Sequence, residues 1–527
     1  MAAIIYQLDK RSGITYAYES ISYWDKEKKQ SRAKRKLIGR VDKNTNEIVP
    51  TDGRCKKDKQ KQIDLQNNNN KVLSTRQYYG ATYLFDKIGD KLGLTKDLKQ
   101  CFPNSYKQIL STAYYLILEE NNPLMRFEKW GNTHKHPFNK NISSQRSSEL
   151  FASISEDDKM KFFELQGKRK VDDEFFAYDT TSISSYSKSL KQVQYGHNKE
   201  NDKLAQINLA IVFGEKSNLP FYYRKLAGNI PDCKTVNKLL DDLDILGFAK
   251  VNLVMDRGFY SKANIDTLYK SKKTFLISAS MTLKFIKENL EPLLNKFTSS
   301  NNYNPTYELY TKTIKKSWGD DNNKKDIYIH YYYNQYKAIN QSIELDKKLI
   351  EFKTQIINDK TLNSINKSYR KYFTITNNSN NNIIDVTIND DIVSKTKQSY
   401  GFFTLVTNKQ MSSTTALEIY RNKDVVEKAF GNLKERLNMR RTLVSSEQSL
   451  DGKLFVEFIA LIYLSYIKKQ MQDNDMFKDY TMQTLLDKLD VIECYKYKSN
   501  KKLQVGEILQ KQKDIYTKMG IEIPSSL

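Results

Sequence analysis

The pattern of apolar and polar residues divides the chain into segments of different character. Near the start, apolar and polar residues alternate in GITYAYESISYW and RAKRKLIGRVD, which predicts a hairpin-like sheet within a basic β module over residues 1–70. Between residues 71 and 170 the apolar residues recur at helical spacing, as in GATYLFDKIGDKLGL and YKQILSTAYYLILEE. The chain is therefore expected to begin with a small sheet and to continue with a helical region.

Residues 171–280 have a mixed pattern. Three apolar strands, FFAYDTTSISS, AQINLAIVF and LPFYYRKLA, precede a helix, the short strand VNLVM, a second helix and the strand TFLIS. Three antiparallel strands followed by alternating helices and strands are the order of a ribonuclease-H-like α/β fold, a mixed sheet with helices on its faces. The pattern predicts this fold class for the centre of the chain.

An insertion interrupts that fold. Between residues 281 and 400 the pattern predicts a β-rich and helical subdomain with structure of its own, because an unstructured loop of that length is improbable. The strand FFTLVTN then resumes the sheet in a second part, residues 401–470, which carries a long helix from about Thr415 to Leu437. Residues 471–527 are predicted to be helical. Loops are expected at the Asn-rich runs 67–70, 301–304 and 377–382.

Charge then narrows the class of partner. Lys and Arg number 86 against 62 Asp and Glu, a formal net charge of +24. This balance favours a polyanion, either nucleic acid or an anionic membrane surface. The most apolar stretch, Leu454 to Ile467, is interrupted by Glu457 and is shorter than the about 20 residues of a membrane span. It is predicted to be a buried helix, so nucleic acid is favoured over a membrane.

Other functions are disfavoured by missing motifs. The four cysteines, Cys55, Cys101, Cys233 and Cys494, form no CxxC pair, which argues against zinc fingers and disulfide scaffolds and suits a reduced cytoplasm. No GxxxxGK[ST] or GxGxxG loop is present, which argues against a nucleotide-driven motor. No charged and then apolar leader opens the chain, so no signal peptide is expected.

Two aspartates stand on or beside predicted core strands. Asp179 lies within the first strand, where a carboxylate among apolar neighbours is costly to bury unless it is paired, hydrogen-bonded or metal-bound. Asp256 follows the buried strand VNLVM, at the strand end where α/β sheets place their ligands. Taken singly, Asp179 could instead be a turn or capping residue, and Asp256 could be the entry residue of a helix.

A third acid lies on a helical stripe. At about 100° per residue, Tyr420, Lys423, Glu427 and Lys434 fall on one narrow line beside the apolar face of the predicted helix. The ordinary interpretation is a stabilising i,i+4 pair of Lys423 with Glu427. That pair does not explain why Tyr420 and Lys434 share the stripe, so Glu427 is the most informative of the three acids.

The same stripe carries a family resemblance. The segment YRNKDVVEKAFGNLK resembles the Tyr–Arg–Glu–Lys signature of DDE transposases from bacterial insertion sequences, in which two, three and six residues separate the four positions. Tyr420, Lys423, Glu427 and Lys434 occupy those positions here, with Lys in place of Arg at 423. Because Lys keeps the charge but lacks the planar bidentate fork of Arg, Arg421 is an alternative contact for phosphate.

Three further segments resemble the same family. YDTTS at Asp179 and MDRGFYS at Asp256 are similar to the contexts of its first two acids, and LAGNIPDCKT is similar to the segment between them. The resemblance covers about residues 175–467. Three motifs in the expected order on the expected elements are a far more specific signal than any one of them.

The resemblance implies a site and its cofactors. Asp179 would bridge two Mg²⁺ ions, for which Mn²⁺ is a possible substitute, while Asp256 and Glu427 would each hold one ion. Such ions activate the attacking oxygen and stabilise the leaving one in phosphodiester cleavage. The phosphate beside the cut would be held by the basic and phenolic residues of the signature and its surroundings: Tyr420, Arg421, Lys423, Lys434 and Arg257.

The resemblance also implies a partner and a biological role. The expected protein is a transposase of the bacterial cytoplasm that acts on the chromosome, cuts double-stranded DNA at the inverted-repeat ends of its own element and joins them to target DNA, as a homodimer. The helical region 71–170 is the expected reader of the DNA ends, with a pure packing domain as its alternative. Two rival functions stay open, a stand-alone nuclease such as a junction resolvase and a catalytically decayed DNA-binding relic.

Overall fold

A computed structural model describes most of the chain as two compact units. The described residues are 2–26, 28–51, 73–120, 122–169, 174–199, 202–248, 251–319, 324–377, 383–442, 444, 446–497 and 500–525. One unit comprises Met1–Arg76 with Tyr495–Gln504 and Ser526–Leu527, and the other comprises Gln77–Cys494 with Val505–Ser525. The Asn-rich loop predicted at 67–70 lies outside the described residues, and so does the loop predicted at 377–382 except for Asn377, which is the last residue of a strand.

The first unit contains a small antiparallel sheet, as the alternating pattern predicted. Four strands pair in sequence order, each with the next. They are β1 (Ala2–Asp9), β2 (Ile14–Asp25), β3 (Gln30–Val41) and β4 (Ile48–Val49). A further strand, β5 (Leu73–Tyr78), follows. The prediction of a small N-terminal β module is confirmed.

Six helices follow in the region predicted to be helical: α1 (Gly80–Lys91), α2 (Leu94–Cys101), α3 (Tyr106–Leu118), α4 (Phe127–Thr133), α5 (Ser144–Ser153) and α6 (Glu156–Gly167). The hydroxyl of Ser155 caps α6 by accepting the backbone N–H of Asp158 at 3.2 Å. Their apolar faces belong to one core together with the central sheet. Packing therefore accounts for the apolar periodicity of this region.

The central sheet has the topology that the pattern predicted. Its first elements are β6 (Phe175–Ser185), β7 (Gln206–Gly214), β8 (Pro220–Ala227), α7 (Val236–Ile245), β9 (Asn252–Met255), α8 (Lys262–Lys270) and β10 (Thr274–Ala279). The strand order is β8-β7-β6-β9-β10. The pairs β6–β7 and β7–β8 are antiparallel, whereas β6–β9 and β9–β10 are parallel. This order and these directions are those of a ribonuclease-H-like fold.

The insertion differs in part from its prediction. Its elements are α9 (Lys284–Leu290), β11 (Tyr303–Asn304), β12 (Leu309–Trp318), β13 (Lys325–Tyr333), α10 (Gln335–Asp359), β14 (Phe373–Asn377), β15 (Ile383–Ile388) and α11 (Asp390–Lys397). Strands β11 to β13 extend the central sheet instead of forming a separate one. The stretch from Leu345 to Val393 has a small core of its own, so only this part is independently packed.

The second part of the catalytic fold closes the sheet. It comprises β16 (Phe402–Thr407), α12 (Ser413–Asn422), α13 (Asp424–Gly431), β17 (Arg441–Thr442) and α14 (Glu447–Asp473). Strand β16 joins β10 to β13, antiparallel to both. Helix α14 is buried along most of its length, and a Cβ on Gly452 would lie 2.0 Å from the carbonyl oxygen of Phe151. Only glycine permits this close approach to α5.

Helix α14 contains the apolar stretch predicted to be a buried helix, and the structure places it in the core. Within the described part of the chain, no helix has the length and apolar character required to span a bilayer.

The C-terminal region was expected to be helical, but it also contains strands. It contains α15 (Met482–Asp490), β18 (Glu493–Tyr497), β19 (Asn500–Val505) and α16 (Gln510–Lys518). The two strands form a three-stranded sheet with β5. The prediction missed them because their pairing partner lies more than 400 residues earlier in the chain.

Candidate active site

Asp179 lies in the middle of β6, where every residue is buried. Its Oδ1 accepts the backbone N–H of Thr180 at 2.7 Å and lies 3.6 Å from Nζ of Lys199. Burial raises the pKa of the Asp179 carboxyl, and the positive charge of Lys199 opposes that shift. A buried carboxylate whose pKa is perturbed by burial and a specific partner is typical of a functional site.

Asp256 follows β9 directly, at the carboxyl end of that parallel strand. The phenol of Tyr420 donates a hydrogen bond to its Oδ1 at 2.6 Å, and Nζ of Lys423 lies 3.2 Å from its Oδ2. Burial and the neighbouring charge of Asp256 raise the pKa of Tyr420 far above its usual range. The phenol therefore remains a neutral donor that orients the Asp256 carboxylate.

The predicted helix from Thr415 to Leu437 is not continuous. Helix α12 ends at Asn422, α13 begins at Asp424, and Asn432–Arg436 form a π-helical turn. At the break, the backbone N–H of Val426 donates to the carbonyl of Lys423, three residues earlier instead of four. The prediction of one continuous helix is wrong here, and the side chain at the break, that of Lys423, is buried.

Lys423 is the buried centre of these contacts. Its side chain is 3% exposed, and its ammonium lies 3.2 Å from Asp256 and 3.3 Å from Oε1 of Glu427. Burial by itself lowers the pKa of Lys423, but the charges of Asp256, Asp179 and Glu427 together raise it. The ammonium therefore stays charged and balances part of the negative charge of the three acids.

Glu427 lies on the solvent-exposed side of the three acids. Its side chain is 58% exposed, in contrast to that of Asp179, which is 10% exposed. Its position on α13 matches the sequence expectation that it lies beside the buried face, since Val426 and Phe430 are buried next to it. Glu427 can thus move more freely than the aspartate on the strand.

The structure brings the three predicted acids together. One carboxylate oxygen from each of Asp179, Asp256 and Glu427 lies within 4.8 Å of the others. Two oxygens bound to one Mg²⁺ at about 2.1 Å can be at most about 4.2 Å apart. The donor set, three carboxylates, also suits Mg²⁺ or Mn²⁺. These residues therefore fit a divalent ion after a small closing movement.

The predicted DNA contacts are distributed around this cluster. Tyr420 and Lys423 touch the acids directly. Arg257 is exposed immediately after Asp256, and Lys434 is half-buried in the π-helical turn. The guanidinium of Arg421 instead lies 4.6 Å from the ring centroid of Tyr307 in the insertion. These placements leave the roles of all five residues in DNA binding as predictions.

The sequence analysis did not predict two further charged residues that lie beside the acid cluster. Nζ of Lys199 lies between Oδ1 of Asp179 and Oδ2 of Asp232, at 3.6 and 3.8 Å. Thr180, next to Asp179, donates its hydroxyl to Oδ1 of Asp232 at 2.5 Å. The available signal for Asp232 was its place in LAGNIPDCKT. Lys199 lies in the loop between β6 and β7, where no periodicity pointed to it.

A mixed sheet of ribonuclease-H type, with acids from β6, from the end of β9 and from α13 in one cluster, is the architecture of the DDE class of nucleic-acid-processing proteins. Comparison with protein families agrees with this class. The model of the family described as "Transposase DDE domain" matches residues 170–463, more than half of the chain. The chain belongs to the transposase DDE domain family.

Other comparisons add little. No curated protein matches the chain. Among solved structures, a piggyBac transposase in a synaptic complex with hairpin DNA is similar at 10% sequence identity and a TM-score of 0.31. The alignment covers 66% of this chain and 57% of that one, so the chain spans little more than half of the solved protein. A similarity this weak carries no argument about function.

Proposed function

We propose that this protein is an active transposase that cuts DNA at the ends of its own insertion sequence and joins the freed 3′-hydroxyl to target DNA. The convergence of Asp179, Asp256 and Glu427 within 4.8 Å, on a ribonuclease-H-like sheet, is the observation that carries the proposal. Membership of the transposase DDE domain family supports it.

Asp179, Asp256 and Glu427 would hold the metal, which we propose to be two Mg²⁺ ions. Such ions activate the attacking water or 3′-hydroxyl and stabilise the leaving oxygen. Cleavage and joining are both in-line attacks at phosphorus, so one site serves both steps. No histidine base is required of the chain.

The neighbouring side chains have positioning roles in this proposal. Tyr420 holds the Asp256 carboxylate through its 2.6 Å hydrogen bond to Oδ1, while Oδ2 of Asp256 lies 3.2 Å from the ammonium of Lys423. Lys423 offsets the repulsion between Asp256 and Glu427 and can move to a DNA phosphate when cations take its place. Lys434, Arg257 and Arg421 are proposed as further phosphate contacts.

The proposal includes the wider setting of the reaction. Two copies of the protein would act on paired inverted-repeat ends in the bacterial cytoplasm, and the net charge of +24 would draw them to DNA. A junction resolvase or other stand-alone nuclease of the same fold is the rival function. A decayed DNA-binding relic is the second rival, but the complete acid cluster favours an active enzyme.

The test is a cleavage and joining reaction on a labelled duplex taken from the DNA that flanks the gene. We expect Mg²⁺-dependent nicking at the inverted repeat and a joined product with target plasmid. Asp179→Asn, which keeps the size of the side chain, should abolish both while the protein stays folded. Nicking of branched DNA without any joined product would support the resolvase, and metal-independent or absent nicking would refute the proposed enzyme.

A further inference from the structure

The N-terminal sheet has one face that combines apolar and basic side chains. Residues directly opposite one another on paired strands share a face. On one face, Ile4 of β1 lies opposite Glu19, which lies opposite Lys36 of β3. The next row on that face joins Ala2, Ile21 and Lys34.

The same face continues along the sheet with Tyr6 and Leu8 of β1 and with Tyr23 of β2, which lies opposite Arg32. We call the set Ile4, Tyr6, Leu8, Ile21, Tyr23, Arg32, Lys34 and Lys36 the basic–apolar face.

The apolar members of this face are far more exposed than a folding role requires. Ile4, Tyr6 and Leu8 are 53%, 58% and 57% exposed, and Ile21 and Tyr23 are 50% and 49% exposed. A contiguous exposed patch of large apolar side chains marks an interaction surface, whereas single exposed residues do not. The sheet therefore presents a binding surface.

The basic row identifies the chemistry of the partner. Because side chains alternate along a strand, Arg32, Lys34 and Lys36 share this face, whereas Arg35 points to the other one. Arg32 is paired with Asp25 at 3.6 Å. Within the described residues, neither Lys34 nor Lys36 has an ion-pair partner, although Glu19 is the cross-strand neighbour of Lys36. Two ammonium groups without an ion-pair partner in the described part of the chain, on a face that also carries Tyr6 and Tyr23, suit a polyanion that has flat or methyl-bearing groups.

We propose that the basic–apolar face of β1 to β3 binds duplex DNA, with Lys34 and Lys36 on phosphates and Tyr6 and Tyr23 against the sugar and base edges. The major groove, about 12 Å wide, admits a two-stranded β-ribbon, which corresponds to two neighbouring strands of this sheet about 4.8 Å apart. A second copy of the chain is the less suitable occupant. A symmetric contact would bring the basic row of one copy toward the identical basic row of the other, and the like charges would repel.

The inference depends on the proposed function, since it names the surface with which a transposase would contact DNA. It also changes the predicted reader of the ends. Helices α1 to α6 place their apolar faces in the core of the larger unit, whereas the basic–apolar face is exposed. The N-terminal sheet is thus a better candidate for the DNA-recognition surface than the helical region.

The strand provides its own matched control. The full-length double variant Lys34→Glu, Lys36→Glu is compared with Arg35→Glu, an adjacent exposed position of the same strand on the opposite face. Binding to a fluorescent end duplex is titrated at several salt concentrations, and Mn²⁺ binding and thermal unfolding are measured on the same samples. We expect the double variant to lose at least about tenfold in affinity, with the slope of log K against log salt reduced by about 2.

Arg35→Glu should change the affinity by no more than about twofold to threefold, and Lys34→Arg, Lys36→Arg should bind like the parent. Equal losses in the double variant and in Arg35→Glu would overturn the proposal, and so would no loss in either while the parent binds DNA. A change of mass in solution without a change in DNA affinity would assign the face to a second copy instead. If the parent itself shows no salt-dependent DNA binding, the proposed function fails, and this inference fails with it.

Discussion

Substitution of Glu427 by Gln is the most direct test of the acid cluster. Gln keeps the size of the side chain and a neutral oxygen but removes the charge that would hold a cation. The geometry allows the size of the effect to be worked out. The ligand oxygens lie within 4.8 Å of one another, and two oxygens on opposite sides of one ion are about 4.2 Å apart, so such a pair has to close by at most about 0.6 Å. The exposed Glu427 side chain can make that movement more easily than the buried Asp179.

The energy at stake follows from the same distances. Two unit charges 4 Å apart interact by about 4 kcal/mol near a protein surface, and a divalent ion doubles that figure. Water at the exposed Glu427 side chain screens part of it, and the amide oxygen of Gln still coordinates weakly. We therefore expect a net loss of about 3 kcal/mol, which is about 100-fold in metal affinity.

The assay joins calorimetric titration of Mn²⁺ with gel-based nicking of an end duplex. Glu427→Gln should lose about 100-fold in Mn²⁺ affinity and nick at least about 100-fold more slowly, while DNA affinity stays within a few-fold. Glu435→Gln is the control, because Glu435 lies in the same helical segment and pairs with Arg440 outside the cluster. Unchanged Mn²⁺ affinity in Glu427→Gln would refute its role as a ligand, and Glu418 would then be the next acid to test.

Three other outcomes are expected. In a gel-shift titration, Lys434→Ala should weaken binding of the end duplex and lower the slope of log K against log salt by about 1, without altering Mn²⁺ affinity. An excess of Mg²⁺ should not restore binding, and restored binding would contradict a phosphate contact. Burial raises the pKa of Glu457 to about 8, from an ordinary value of 4.5, so the stability from its bound proton is complete below about pH 4.5 and is lost as the pH rises to about 8. Thermal unfolding across this range should show that loss in the parent and a flatter profile in Glu457→Gln. Removal of residues 1–72 should lower DNA affinity and leave Mn²⁺ binding intact. Removal of all residues before 175 should give a protein that is unfolded by circular dichroism, because helices α1 to α6 share the core of the catalytic sheet.

Local periodicity determined much of the fold in advance. Alternation in β2 and β3 and the order of strands from Phe175 onward gave the N-terminal sheet and the ribonuclease-H-like topology. Position made the three acids candidates, because Asp179 lies within an apolar strand, Asp256 at a strand end and Glu427 beside an apolar helical face, and the family resemblance then selected them as one set. Each of these features depends on neighbours within a few residues along the chain, which the sequence displays directly.

Tertiary structure decided which distant strands pair in one sheet and which distant charged residues lie next to each other. Strands β12 and β13 extend the central sheet, and β18 and β19 pair with β5, because an exposed edge can hydrogen-bond to any strand that reaches it. Periodicity identifies a strand but not its partner.

The surroundings of Lys423 also depend on residues far away in the chain. Its buried ammonium is balanced by acids, and one of them, Asp256, lies more than 160 residues earlier. Lys199 likewise lies beside Asp179 because of the tertiary fold, since the loop that contains Lys199 has no pattern that predicts this contact. The sequence by itself therefore determined most of the elements and the candidate acids, while the electrostatic partners of the acids followed from contacts between residues far apart in the chain.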